Sequence, residues 1–392
     1  MSLTVLSDLD DTLISTNMDR FFPDYFIGLG NALKDLGSTK AIRKQIFHAV
    51  DQMEHNQDPG MLLSEIFAEN FYSPLGTTEA AHKGNILNFY REEYPKLKHL
   101  TTFRPEAPEL IEWCEQHNIL FAIATNPVFP KVATRERIIW AGLNPEAFPY
   151  FTTYEHFHFT KPNMAYYAEC LGRLGWPEGK VVMIGDDPIR DIEPMQALGF
   201  PTFQIHHEKN GYKGNEGTIA DVKHWLESIN SQPDAEPHFS PEANLAIIRS
   251  TPAVMDYWMR FLPSEVFRTK SESTEWDLTE IFWHLADFEN EVYLPQWKQL
   301  ATDSTIQLTV PETSRWSEER AYHLRDSKEA LQKFYLGRMA SLDILNSLIT
   351  KGMLDQPIRH TVFGQPTLAE LISFVSRHDR IHLRQASKTL NI

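Results

Sequence analysis

Cysteine is almost missing from this chain: Cys114 and Cys170 are the only two in 392 residues. Each lies in an apolar, helix-like segment, so a disulfide framework and a thiolate zinc cluster are excluded and both read as small core residues. Positive charge is also scarce. Lysine and arginine number 37 against 53 acids, a formal net charge of −16, with no basic run. That balance argues against nucleic acid as a partner and suits sites that hold cations. No apolar stretch is long enough to span a bilayer. The first residues show neither a basic region nor a cleavage site, so the expectation is a cytoplasmic protein without a membrane partner. Internal repeats, low-complexity tracts and the His-Glu-x-x-His zinc-protease pattern are all absent.

What remains is a folded composition, 42% apolar and 23% charged, in a chain long enough for two or three domains. Short apolar runs at 4–8, 120–124, 181–184 and 201–205 read as buried strands, with a further candidate at 148–153. Helical spacings fill 105–117, 131–140, 161–174, 192–198 and 222–229. This alternation implies a parallel, Rossmann-like α/β sheet with right-handed crossovers. Between the first two strands, roughly 15–100, only helical patterns occur (19–36, 41–53, 60–70 and 78–94), so a small helical insert is expected there. Its aromatics, among them Phe21, Phe22, Tyr25, Phe26, Phe67, Phe71 and Tyr72, read as core. The proline-rich polar stretch 231–241 reads as a linker. Four long helical patterns follow at 245–262, 278–300, 316–349 and 367–390, the signature of an up-and-down four-helix bundle.

Chemistry-bearing residues gather at strand ends. The first strand runs into Asp8, with Asp10 two residues on; the chain must turn there to bring both acids to one site. One carboxylate can attack a phosphorus atom, and the other can protonate a leaving oxygen and then activate water. By itself the stretch fits an acidic, solvated turn equally well. Thr125 and Asn126 end the second strand, Lys161 opens a helix, and Asp186 and Asp187 end another strand, with Asp191 beyond.

The four motifs, in order, are Asp8-Leu9-Asp10-Asp11-Thr12, Ile123-Ala124-Thr125-Asn126, Lys161-Pro162 and Gly185-Asp186-Asp187-Pro188-Ile189-Arg190-Asp191. This set resembles the haloacid dehalogenase superfamily over roughly 1–229. The resemblance implies a core at 1–14 and 101–230 with a cap at 15–100. It implies that Asp8 is the nucleophile, Asp10 the general acid and base, Thr125 a donor to the phosphoryl group, and Lys161 its counter-charge. Mg²⁺ would be held by Asp8, Asp10 (through its carbonyl) and Asp186, with Asp191 in support and Asp187 a competitor for that role. An acid at the Asp10 position points, by the same resemblance, to phosphatases or phosphomutases, and the main expectation is phosphatase chemistry on a small phosphorylated metabolite. Sugar phosphates, phosphoglycolate and nucleoside monophosphates are all compatible with the motifs.

A second constellation lies in the last helix, where Leu371 and Val375 give way to His378 and His382 on the same face, four residues apart. His284 lies within the apolar face of the second bundle helix. Three inward histidines are costly without partners, and one shared divalent metal satisfies all three. The segments around Trp276-Asp277-Leu278, His360-Thr361-Val362 and His378-Asp379-Arg380-Ile381-His382 resemble the DinB-like helical bundles over 242–392. That resemblance implies a three-histidine site for Zn²⁺ or Ni²⁺ at His284, His378 and His382. Asp379 reads as a surface residue. The bundle could carry metal-dependent thiol transfer, or serve a non-catalytic role in regulation or homodimer formation.

Overall fold

The computed structural model describes residues 3–206, 215–233, 237–272 and 275–390. Residues 234–236 of the expected linker, and the two residues at each end of the chain, lie outside the described residues. Two compact units emerge: Met1–Tyr167 with Pro177–Pro237, and Ala168–Trp176 with His238–Ile392.

The first unit is built on five parallel strands, β1 (Leu3–Ser7), β4 (Leu120–Ile123), β5 (Lys180–Gly185), β6 (Thr202–Ile205) and β7 (Glu216–Gly217), in the order β4-β1-β5-β6-β7. Every residue of β1 is buried, as a strand covered on both faces requires. Val5 lies opposite Phe121 on one side and Val182 on the other. The ladder continues just past β1, because the Asp8 amide donates to the Ile184 carbonyl at 2.9 Å. This register puts Asp8 at the carboxyl edge of the sheet between the ends of β4 and β5, where open parallel sheets bind their ligands.

The chain then reverses. Asp11 takes a left-handed φ of +56°, which the short polar side chains tolerate best, and its carboxylate accepts from the Thr16 amide at 2.9 Å. The insert is entered through β2 (Ile14–Thr16) and left through β3 (Thr101–Phe103), which pair antiparallel. Strands of three residues carry too little periodicity to be read from sequence. Between them lie α1 (Met18–Ala32), α2 (Thr39–Glu54), α3 (Leu63–Phe71) and α4 (Glu79–Asn88). Asn17 and Ser38 cap α1 and α2 by accepting from the amides of Arg20 and Ala41.

The helices along this part of the chain are α5 (Glu106–Gln116), α6 (Lys131–Trp140), α7 (Met164–Arg173), which passes into the second unit at Ala168, α8 (Glu193–Ala197) and α9 (Ile219–Ser231). The strand expected at 148–153 is reduced to one bridge, Phe151 to Ile123. Helix α7 starts three residues after Lys161, so the lysine sits in the preceding loop. A π-helical turn, Pro188–Ile192, precedes α8. Both cysteines are buried.

The second unit is helical. Its main helices are α10 (Pro241–Phe261), α11 (Leu278–Phe288), α12 (Leu294–Thr302), α14 (Ser327–Thr350) and α15 (Leu368–Leu390), with a short α13 (Trp316–Glu319) and a two-residue pairing of β8 (Gln307–Leu308) with β9 (Arg359–His360). A π-helical turn, Glu289–Tyr293, joins α11 to α12. Helix α14 begins at Ser327 rather than near Trp316, because the Asp326 carboxylate caps the amides of Lys328 and Glu329. Helices α10 and α11 each pack against α14 and α15. The ring therefore runs first, third, second, fourth. Leu342, Leu345, Leu371, Ile372 and Val375 form part of its apolar core.

Candidate active site and metal centres

The loops at the carboxyl ends of β1, β4 and β5 bring the distant acids together. Asp8, Asp186 and Asp191 each place a carboxylate oxygen within 4.8 Å of the others. Lys161, buried to 1% exposure, donates from Nζ to Asp8 Oδ1 at 2.7 Å and to Asp191 Oδ1 at 2.5 Å. Thr12 Oγ1 donates to Asp186 Oδ1 at 3.2 Å. Thr125 follows β4 and is buried. Its carbonyl accepts from Thr152 Oγ1 at 2.5 Å and from the Tyr166 hydroxyl at 2.7 Å, which pins the loop. The next residue, Asn126, accepts from the Lys161 amide at 3.3 Å.

Asp10 and Asp187 take other partners. Asp10 forms an ion pair with Arg137, a buried residue of α6. The Asp187 carboxylate caps the π-helical turn, accepting from the amides of Ile189 and Arg190 at 2.9 and 3.1 Å, and stands outside the three-acid cluster.

Electrostatics favour a cation here. Burial, then the neighbouring charges of Asp8 and Asp191, push the Asp186 carboxyl up to about 7. Burial lifts Asp10 to about 6 against the pull of Arg137. For Lys161, burial opposes the charge, but Asp191 and Asp8 outweigh it and raise the ammonium's pKa. Burial also lifts Asp191 to about 6 against Lys161. With the ammonium at 2.5 Å from that carboxylate, the ion pair is the state both groups share. Three carboxylates then face one ammonium, an excess of negative oxygen donors that suits a hard divalent ion.

The second unit holds the histidine centre. His284 of α11 and His378 and His382 of α15 each bring a ring nitrogen within 4.8 Å of the others. The Nε2 atoms of His284 and His378 lie 3.0 Å apart. Burial pushes His284 down to about 3, with the neighbouring His382 acting in the same direction. Burial likewise lowers His378 and His382. The rings are therefore neutral at pH 7 and present lone pairs. Gln385 Oε1 lies 3.1 Å from His382 Nδ1, a contact that fixes the orientation of that ring. The indole of Trp276 stacks on His382 at 5.9 Å. Neutral imidazoles converging in this way fit a borderline transition metal.

Residues 3–199 match the family model for haloacid dehalogenase-like hydrolases. The chain belongs to this hydrolase family. Residues 247–386 of the hydrolase match the model of the DinB superfamily, so a DinB-like helical domain follows the hydrolase domain in one polypeptide. Similar solved structures include the HAD phosphatase from Thermococcus onnurineus, 19% identical, covering 57% of this chain and 97% of that one, with a TM-score of 0.37. The 2-haloacid dehalogenase from Pseudomonas syringae pv. Tomato DC3000 is 17% identical and covers 58% and 99%, with a TM-score of 0.41. YfiT from Bacillus subtilis, described as a probable metal-dependent hydrolase with an unusual four-helix bundle topology, is 16% identical and covers 41% and 91%, with a TM-score of 0.35. No curated protein matches the chain. Among the described residues, no helix of the hydrolase is long and apolar enough to cross a membrane.

Two residues around the aspartates were not singled out from sequence. Thr12 belongs to the first motif without a role of its own there, yet its hydroxyl donates to Asp186. Arg137 shares the buried face of α6 with Ala133, Thr134, Ile138 and Trp140. An arginine at core spacing was the available signal, because a buried guanidinium demands a carboxylate partner.

One reading is overturned. Asp379 is fully buried: it accepts from Arg338 Nη1 at 2.6 Å and from Thr251 Oγ1 at 2.8 Å. The sequence reading placed Asp379 at the surface. The helix instead turns Asp379 toward Arg338 of α14, which also donates to Glu289 Oε2 at 2.8 Å.

Proposed function

We propose that the aspartate centre hydrolyses the phosphate monoester of a small metabolite, and that the histidine centre holds zinc or nickel. The observation that supports the first reading is Lys161, whose ammonium bridges Asp8 and Asp191 beside Asp186. Asp8 Oδ attacks phosphorus, the ester P–O bond breaks, and Asp10 gives its proton to the leaving oxygen. Asp10 then takes a proton from water. The water oxygen attacks phosphorus, the bond to Asp8 breaks, and inorganic phosphate leaves. Lys161 neutralises charge on the phosphoryl oxygens and holds the Asp8 carboxylate in place through its 2.7 Å hydrogen bond, and Thr125 donates to one of those oxygens. Asp8 and Asp186, with the Asp10 carbonyl, would hold Mg²⁺. Bound there, the ion supplies positive charge against the repulsion between an anionic nucleophile and an anionic substrate.

The test is phosphate release from a panel of phosphorylated metabolites with Mg²⁺ supplied. Asp8→Asn is expected to lower kcat by about a thousandfold or more, since it removes the nucleophile itself. An unchanged rate rejects the assignment.

Three neutral imidazoles leave an open position in a tetrahedral site, which a thiolate can fill. Metal-dependent thiol transfer is therefore the second activity we propose. Elemental analysis of the purified full chain is expected to find a transition metal, and the His284→Ala, His378→Ala, His382→Ala triple variant to lose it. A bundle that lacks metal in both proteins, while mass measurements show a dimer, would instead assign it to homodimer formation.

A further inference from the structure

A cavity of about 390 Å³, partly open to solvent, lies in the first unit, lined by residues of α1, α2, α3 and α4 and of the loop 126–130. It falls within the roughly 300–1,000 Å³ of small-molecule pockets. Its wall includes Asn126, which directly follows Thr125, and Arg190, from the turn between Asp186 and Asp191. The two loops that carry the site's threonine and its acids therefore also border the cavity.

The lining is apolar and aromatic. Phe22 stacks on Phe26 at 6.0 Å, and Phe67 stacks on Phe71 at 5.1 Å. Ile46, Val50 and Ile86 add aliphatic surface. Sequence reading assigned these aromatics to the core. That holds for Phe21, 1% exposed and absent from the lining, whereas Phe22 is 36% exposed. Phe129 carries the wall toward the acids, because Arg137, the partner of Asp10, lies over its ring at 4.5 Å.

Polar groups in the lining are few and engaged. Among the described residues, Glu54 and Arg190 are its only charged ones, and they pair with each other at 3.3 Å. The hydroxyls of Tyr25 and Tyr90 bond to each other at 2.9 Å. Burial pushes the Tyr25 phenol up to about 12 and raises Tyr72, Tyr90 and Tyr154 as well, so these phenols are neutral. A polyhydroxylated group entering here would surrender its bonds to water and regain few. An apolar group gains the whole burial.

We propose that this cavity receives the organic group of the substrate and that this group is apolar, which makes the substrate an aryl or alkyl phosphate rather than a sugar phosphate. The turnover arm of the proposal rests on the phosphatase reading of the aspartate centre; the binding arm does not.

Three probes separate the two: 1-naphthyl phosphate, ribose 5-phosphate and acetyl phosphate, each assayed with Mg²⁺ on the full chain. Calorimetric titration of 1-naphthol adds a binding measurement that needs no catalysis. The expected kcat/KM for 1-naphthyl phosphate exceeds that for ribose 5-phosphate by about a hundredfold, the effect of burying one large apolar group. Val50→Phe, which fills the cavity from α2, is expected to cut that ratio and the affinity for 1-naphthol by about tenfold or more. Ile86→Trp, from α4, is a second blocker should the first fail to fold. A ratio at or below one, or 1-naphthol affinity untouched by both blockers, overturns the proposal. If acetyl phosphate is also inert, the phosphatase reading falls and the 1-naphthol titration decides the cavity by itself.

Discussion

Arg137, buried, and Asp10, partly buried, form an ion pair in which a guanidinium from the helix after the second motif holds the proposed general acid and base. Removing one partner of such a pair strands the other charge in a low-dielectric site. Arg137→Met is therefore expected to destabilise the hydrolase domain by about 3–5 kcal/mol, read as a lowered unfolding transition in calorimetry. Its kcat should fall while KM changes little, because Arg137 positions Asp10 without lining the cavity. Arg137→Lys should recover part of kcat, since it restores the charge but not the fork. Full activity in Arg137→Met would mean that Asp10 needs no anchor.

Gly185 gives a sharper test of the acid cluster. A Cβ at this position would overlap the side chain of Asp191. Gly185→Ala must therefore displace Asp191 from Lys161, the contact that fixes the lysine beside Asp8. We expect a drop in kcat of about a hundredfold or more, with a stability loss of about 1–3 kcal/mol from overpacking. Phosphate-release kinetics and thermal unfolding read the two effects separately. Wild-type kcat in this variant would show that the Asp191–Lys161 contact is dispensable.

Acid sensitivity should arise in the bundle at Asp287. This fully buried carboxylate accepts from Lys333 Nζ at 2.6 Å and from the Tyr322 hydroxyl at 2.7 Å, and pairs with Arg320. Glu291 shares both cations. Burial raises the Asp287 pKa, but the three hydrogen bonds outweigh it and leave the group below its ordinary value. A carboxyl with a depressed folded pKa adds stability above the unfolded value, about 3.9, and that stability is lost as pH falls through the lower folded pKa. Urea midpoints should thus drop below about pH 4. Asp287→Asn should lower stability at pH 7 by about 1–3 kcal/mol and flatten the acid slope. An acid slope unchanged by the substitution would place the effect elsewhere.

The order of the motifs and the period of the apolar residues were decided locally, and the chain's residues carry that information themselves. Buried strands such as β1 and β5 announce themselves because both faces are covered, so nearly every position is apolar. Asp8, Thr125 and Asp186 were legible because each follows such a strand, and Lys161 because it precedes a helix. The pair His378 and His382 was legible because helical spacing places positions four apart on one face. What no local pattern contains is which partner a buried charge meets. Arg137 with Asp10, Thr12 with Asp186, and Asp379 with Arg338 join positions far apart in the chain, and only packing brings them within a hydrogen bond. The same holds for the cap. Phe21 and Phe22 are adjacent and equally apolar, yet one is core and the other lines a cavity, because a helix turns successive residues to different sides and only the neighbouring helices determine whether that side is filled.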